Sequence, residues 1–100
     1  MPPSYDCIAA CGLLHLRVPR WNRWAWDIVR AMVAGCTTAV AFTMPIRGAG
    51  HPPVLAAVDP RDWSARLHTL PGVAGVEVRL LEGWGDAAYY VRKHRPRHGR

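Results

Sequence analysis

Little in this chain points to export or to a membrane. Its three cysteines cannot all pair, and Cys7, Cys11 and Cys36 lack the spacing of a secreted disulfide framework. The first residues carry neither the basic nor the apolar region of a signal peptide. The apolar stretch 31–44 is too short to span a bilayer and is interrupted by Gly35, Thr37 and Thr38. No linker, repeat or low-complexity tract divides the chain before its C-terminus. The expectation is one cytoplasmic domain over 1–91 with no membrane contact.

Catalytic signatures are equally scarce. The five histidines are scattered, and His15, His51 and His68 have no suitably spaced Ser, Cys or Asp partner. Gly48 and Gly50 are too few for a dinucleotide fingerprint, and a strand rather than a helix is expected after them. Cys7, Cys11 and His15 fall at i, i+4 and i+8, which on a helix would align three metal ligands, with Cys36 as a fourth. Gly12 and the alternation beyond it favour a strand, where these side chains would not converge. No catalytic residue, metal or cofactor is therefore expected.

What the chain does contain is apolar surface and arginine. Half the residues are hydrophobic and a fifth are charged, enough apolar material for one core without disulfides. Five tryptophans serve cores and interfaces equally well. The net charge is +6, and the segment 92–100 holds five of the thirteen cations and none of the seven acids. The remainder is left at +1, so the basic character belongs to a C-terminal arm.

Local patterns define the elements. Residues 13–18 alternate, with Leu14, Leu16 and Val18 opposite His15 and Arg17, and Pro19 ends this strand. Residues 21–34 are helical in period, with Trp21, Trp24, Ala25, Ile28 and Met32 on one stripe. Trp26 and Val33 lie off that stripe as exposed apolar residues, and Arg23 can pair with Asp27. Residues 37–44 alternate as a strand closed by Pro45, and 54–58 form a short strand completing a hairpin. Asp59 and Pro60 start a second helix bearing Trp63, Leu67 and Leu70, with Asp62 and Arg66 able to pair, and Pro71 and Gly72 stop it. Residues 73–81 alternate again, Val76, Val78 and Leu80 inward, Glu77 and Arg79 outward. Residues 87–93 are available as a fifth, edge strand.

The expected class is α+β. The order strand, helix, strand, strand, helix, strand predicts a ferredoxin-like βαββαβ sandwich, a four-stranded antiparallel sheet with two helices on one face. The segment 70–78 resembles the closing helix–strand junction of heavy-metal-associated domains and of PaaD-related iron–sulfur assembly factors. The resemblance implies the fold alone. Residues 18–21 stand where the former carry Cys-x-x-Cys, and His51 and Pro52 where the latter carry Cys-Pro.

The resulting functional expectation is a small non-catalytic binding or adaptor protein that engages a larger protein or nucleic acid. Its contacts are expected on the open sheet face (Arg17, Arg79), at Trp26, at Tyr89 and Tyr90 as stacking rings, and along Arg92, Lys93, Arg95, Arg97 and Arg100. A standard RNA-recognition module is not expected, because the two strands predicted to be central carry no aromatic on the open face. The alternative is a ferredoxin-like homodimer enclosing a small-molecule pocket between facing sheets, with His15 as acid–base and Arg17 or Arg79 as anion holder.

Overall fold

A computed structural model of the chain describes residues 5–10, 19–51, 56–81, 83 and 85–94. Six elements are formed: β1 (Tyr5–Ala10), α1 (Trp21–Ala34), β2 (Cys36–Pro45), α2 (Pro60–Leu67), β3 (Val73–Leu81) and β4 (Asp86–Lys93). They build an α+β fold, a four-stranded mixed sheet in the order β1-β2-β4-β3. β1 lies parallel to β2, and β4 is antiparallel to both β2 and β3. Among the described residues no helix is long and apolar enough to cross a membrane.

The expected α+β class, a sheet of four strands and two helices on one of its faces are present, but only two of the four expected strands, 37–44 and 73–81, are among those strands. The strand order β1-β2-β4-β3 and the parallel β1–β2 pair depart from the antiparallel ferredoxin-like sheet that was expected. The difference has two sources. Residues 5–10, unassigned from sequence, form β1 on one edge. Residues 87–93, expected as an added edge, fall in β4, which is inserted between β2 and β3. The chain thus crosses from β2 over the sheet to β3 and turns back so that β4 fills the gap. The expected strand 13–18 lies outside the described residues. Of the expected strand 54–58, Val58 makes a single bridge to Ile46, and that bridge is parallel rather than a hairpin pairing.

α1 begins after Arg20, whose φ of 56° is left-handed and whose side chain makes no capping bond. Its buried line is Trp21, Ala25, Val29 and Val33, with Trp24, Ile28 and Met32 packed partly against the core. The core-facing stripe is therefore rotated from the expected one, and Val33, expected to be exposed, is buried. Asp27 pairs with Arg30 at 3.1 Å, not with Arg23. Gly35 closes the helix, its N–H donating to the Ala31 carbonyl.

α2 starts as expected. The Asp59 carboxylate accepts from the Arg61 N–H at 2.9 Å, and Pro60 occupies a position that needs no donor. The buried face is Trp63 and Leu67, continued by Leu70 beyond the helix. Arg66 stands 4.2 Å from the centroid of the Trp26 ring rather than against Asp62.

Both helices cover the same sheet face. The inward residues Val40, Phe42 and Met44 of β2 and Ala87, Tyr89 and Val91 of β4 meet α1 and α2 in one core. Trp63 is its hub, 6.1 Å from Trp21, 5.6 Å from Trp26 and 6.4 Å from Phe42, ring centre to ring centre. Phe42 stacks on Tyr89 at 4.9 Å across the β2–β4 pair. Such pairs add about 0.5–1.5 kcal/mol each beyond the area they bury. The other sheet face is left without a described helix.

Candidate nucleic-acid interface

Alternation in β4 decides what the sheet presents on the face opposite the two helices. Ala87, Tyr89 and Val91 turn inward, so Ala88, Tyr90 and Arg92 turn outward. In β2 the outward residues are Ala39, Ala41 and Thr43, paired with Arg92, Tyr90 and Ala88. β1 adds Cys7 and Ala9 opposite Ala39 and Ala41. β3 adds Gly75, Glu77 and Arg79 opposite Arg92, Tyr90 and Ala88. The small side chains of Cys7, Ala9, Ala39, Ala41 and Thr43 therefore make a low surface on this side. The Tyr90 ring, 44 % exposed, stands above it on a central strand.

Cations flank that ring. The Arg79 guanidinium carbon lies 5.7 Å from the Tyr90 centroid, and Arg79 Nε donates to Glu77 Oε2 at 2.7 Å. This hydrogen bond and the Glu77 charge push the guanidinium pKa above its ordinary value. Arg92 stands two residues from Tyr90 on the same face, and its guanidinium crosses Gly75 of β3, where a Cβ would lie 2.6 Å from Nη2. Among the described residues Arg92 forms no ion pair. The arrangement offers one stacking surface between two multi-donor cations, which suits a base and its neighbouring phosphates.

The expected contact residues divide sharply. Arg79, Tyr90 and Arg92 are gathered on the open face. Tyr89 is fully buried against Phe42, so its expected surface role is corrected: it belongs to the core. Lys93 still belongs to β4, past the boundary at which the arm was expected to begin, and its ammonium is turned inward. Lys93 Nζ donates to the carbonyls of Val33 at 2.6 Å and Cys36 at 2.9 Å, closing the C-terminal end of α1. Trp26 is half-buried, edge-on to Trp63 and beneath Arg66, away from the open face. Arg17, Arg95, Arg97 and Arg100 lie outside the described residues, as do His15 and Cys11.

Two groupings were missed in the sequence. Arg20, Arg23 and Arg47 line one groove with Asn22, Ala56 and Ala57 at the start of α1. Arg20 and Arg23 are three residues apart, but Arg47 is distant along the chain and shares no motif with them, so only the fold brings the three together. His51, expected without an acidic partner, has one: its Nε2 donates to the Gly85 carbonyl at 2.6 Å and lies 3.7 Å from Asp86 Oδ1. Gly85 has φ of 68°, and a Cβ there would approach Nε2 to 2.8 Å, so glycine is required for this clamp. Since the ring N–H is already bonded to a backbone carbonyl, the pair ties the loop after β2 to the start of β4. Among the described residues no group of three or more His, Cys, Asp or Glu side chains is placed to hold a metal. Cys7 is exposed on β1, and Cys36 is buried, with burial pushing its thiol pKa up against the opposing charge of Lys93.

In comparisons with family models, with curated proteins and with solved structures, the chain finds no match.

Proposed function

We propose that this protein is a binding protein for single-stranded nucleic acid, without catalytic chemistry of its own. The observation carrying the proposal is Tyr90, an exposed ring on the central strand β4, set between Arg79 and Arg92 on the face opposite the helices. A base stacks on such a ring whatever its identity, so the expected recognition is tolerant of sequence. A duplex hides its base faces and would engage the cations alone. The terminal arginines Arg95, Arg97 and Arg100 extend the same polarity past the end of β4 and would follow the phosphate chain.

Fluorescence anisotropy with labelled single strands and with a duplex of matched length, across a salt series, tests the proposal. Single strands should bind more tightly than the duplex, with affinity falling as salt rises. Removing residues 95–100 should reduce the salt slope by about 2. Equal affinity for the duplex, or no binding at low salt, would overturn it.

A further inference from the structure

β3 is the last strand of the sheet, and among the described residues nothing pairs with its second edge. It is nine residues long and contains no proline, and its only irregularity lies at its start, between Val73 and Gly75. Monomeric proteins usually shield such an edge. Here the edge also carries the most exposed large apolar residues described outside Tyr90: Leu80 is 57 % exposed and Leu81 37 %. Leu80 points to the helix side but lies where α2 leaves it uncovered, beside Val78 in a groove with Ser64, Ala65 and His68.

The pattern along this strand is self-complementary. Suppose a second copy of β3 runs antiparallel about a two-fold axis at Val78. Val78 then meets its own counterpart, and Val76 meets Leu80 of the other copy on the helix side. On the open side Glu77 meets Arg79 and Arg79 meets Glu77, while Leu81 falls against Gly75, which has no side chain. Val76, Val78 and Leu80 each gain an apolar neighbour, and both charges gain an opposite one. The neighbouring registers fail. Centring on Glu77 sets carboxylate against carboxylate, and centring on Arg79 sets guanidinium against guanidinium. A slip by a single residue would pair the helix side of one copy with the open side of the other.

We propose that two copies of this chain associate through β3, antiparallel and centred on Val78, to form one continuous eight-stranded sheet. The occupant of the edge is thus a second copy, chosen by charge complementarity in a single register. This goes beyond the nucleic-acid proposal and does not depend on it, although it would place two Tyr90 rings on one uninterrupted face. It also differs from the face-to-face dimer considered from sequence, because both open faces stay accessible.

Sedimentation equilibrium of the full chain, without nucleic acid, provides the test. The wild-type chain should be a dimer. Leu80→Lys, at a position exposed in the single copy, should weaken association by about tenfold or more. Glu77→Arg and Arg79→Glu should each weaken it, and the double exchange should restore it, since the swapped strand is again complementary in the same register. Circular dichroism checks that each variant keeps its fold, and the two charge reversals stand independently of Leu80→Lys. A wild-type chain that is monomeric at all concentrations would overturn the proposal. So would a dimer indifferent to Leu80→Lys, or one that the double exchange fails to restore. Capture of an unrelated extended peptide by a monomeric chain would assign the edge to a different partner and equally overturn it.

Discussion

Lys93 Nζ lies 2.6 Å from the carbonyl oxygen of Val33, so the last residue of the central strand closes the end of the first helix. A second bond, to Cys36 at 2.9 Å, secures the chain as it leaves the helix for β2. Helix C-termini leave carbonyls unsatisfied and carry partial negative charge, and a half-buried ammonium answers both. Lys93→Met keeps the aliphatic stem but leaves two carbonyls without this donor. It should cost about 1–3 kcal/mol in urea unfolding. Because this cation is committed internally, the salt slope of nucleic-acid binding should stay unchanged in the same variant.

Tyr89 is a core residue with a cost built in. Its ring stacks on Phe42, but its buried hydroxyl has no hydrogen-bond partner among the described residues. Tyr89→Phe removes that group without opening a cavity and should stabilise the fold by about 1 kcal/mol. Burial also raises the pKa of the phenol well above its ordinary value, with the charge of Asp59 adding to the shift. A group whose folded pKa is raised holds its proton longer in the folded state. Its contribution is fully present below the unfolded pKa and is lost as pH rises past it, here about 10. Thermal melts of the wild type should therefore fall above that pH, and Tyr89→Phe should fall less. The buried Cys36 thiol, raised chiefly by desolvation, begins the same loss about one pH unit lower.

Trp63 joins both helices to the sheet through contacts with Trp21, Trp26 and Phe42. Trp63→Ala should cost about 3–5 kcal/mol, a large share of the stability of so small a domain. Arg66→Ala removes the guanidinium over Trp26 and Trp63 together with its stem and should cost about 0.5–1 kcal/mol. Paired denaturation curves distinguish a cluster organised by Trp63 from one in which the cation matters equally.

How much of this was legible depended on whether the information was local. The bounds of α1 follow from its period and from Gly35, those of α2 from Asp59 and Pro60, and those of β3 from alternation between valines and charges. Each is decided within about one turn of chain. The neighbours of a strand are not local. Alternation in 86–93 separates Tyr89 from Tyr90 but does not say whether the strand is central or at an edge. The stronger signal was the run of small and apolar residues itself: Ala87, Ala88, Tyr89 and Val91 are all buried, as a strand with partners on both sides requires. β1 escaped because Ala9 and Ala10 give little contrast between its faces, and the Cys7, Cys11 and His15 spacing suggested other chemistry. The rotation of the α1 stripe has a similar origin. With Trp24, Ala25, Trp26, Ile28, Val29, Met32 and Val33 all apolar, only the position of the sheet decides which line is buried.

The same change of strand order made the candidate site visible. With 86–93 at an edge, Tyr90 would be peripheral. With β4 between β2 and β3, it becomes the centre of the open face. Arg92→Ala should weaken single-strand binding with a reduced salt slope, since it removes a cation that forms no ion pair among the described residues. Arg79→Ala should act more weakly on the slope, because the Glu77 carboxylate already offsets its charge. Titrations at several salt concentrations separate the two.

The most direct measurement compares Tyr90→Ala with Tyr90→Phe in equilibrium binding to a labelled single strand. Tyr90 is exposed, so both variants should keep the fold, and circular dichroism verifies this. If Tyr90 is the stacking surface, Tyr90→Ala should lower affinity by about tenfold, corresponding to roughly 1–3 kcal/mol per stacked base. Tyr90→Phe, which keeps the ring, should bind as the wild type does, and the salt slope should be unchanged in both. Wild-type affinity in Tyr90→Ala, or an equal loss in Tyr90→Phe, would contradict the account.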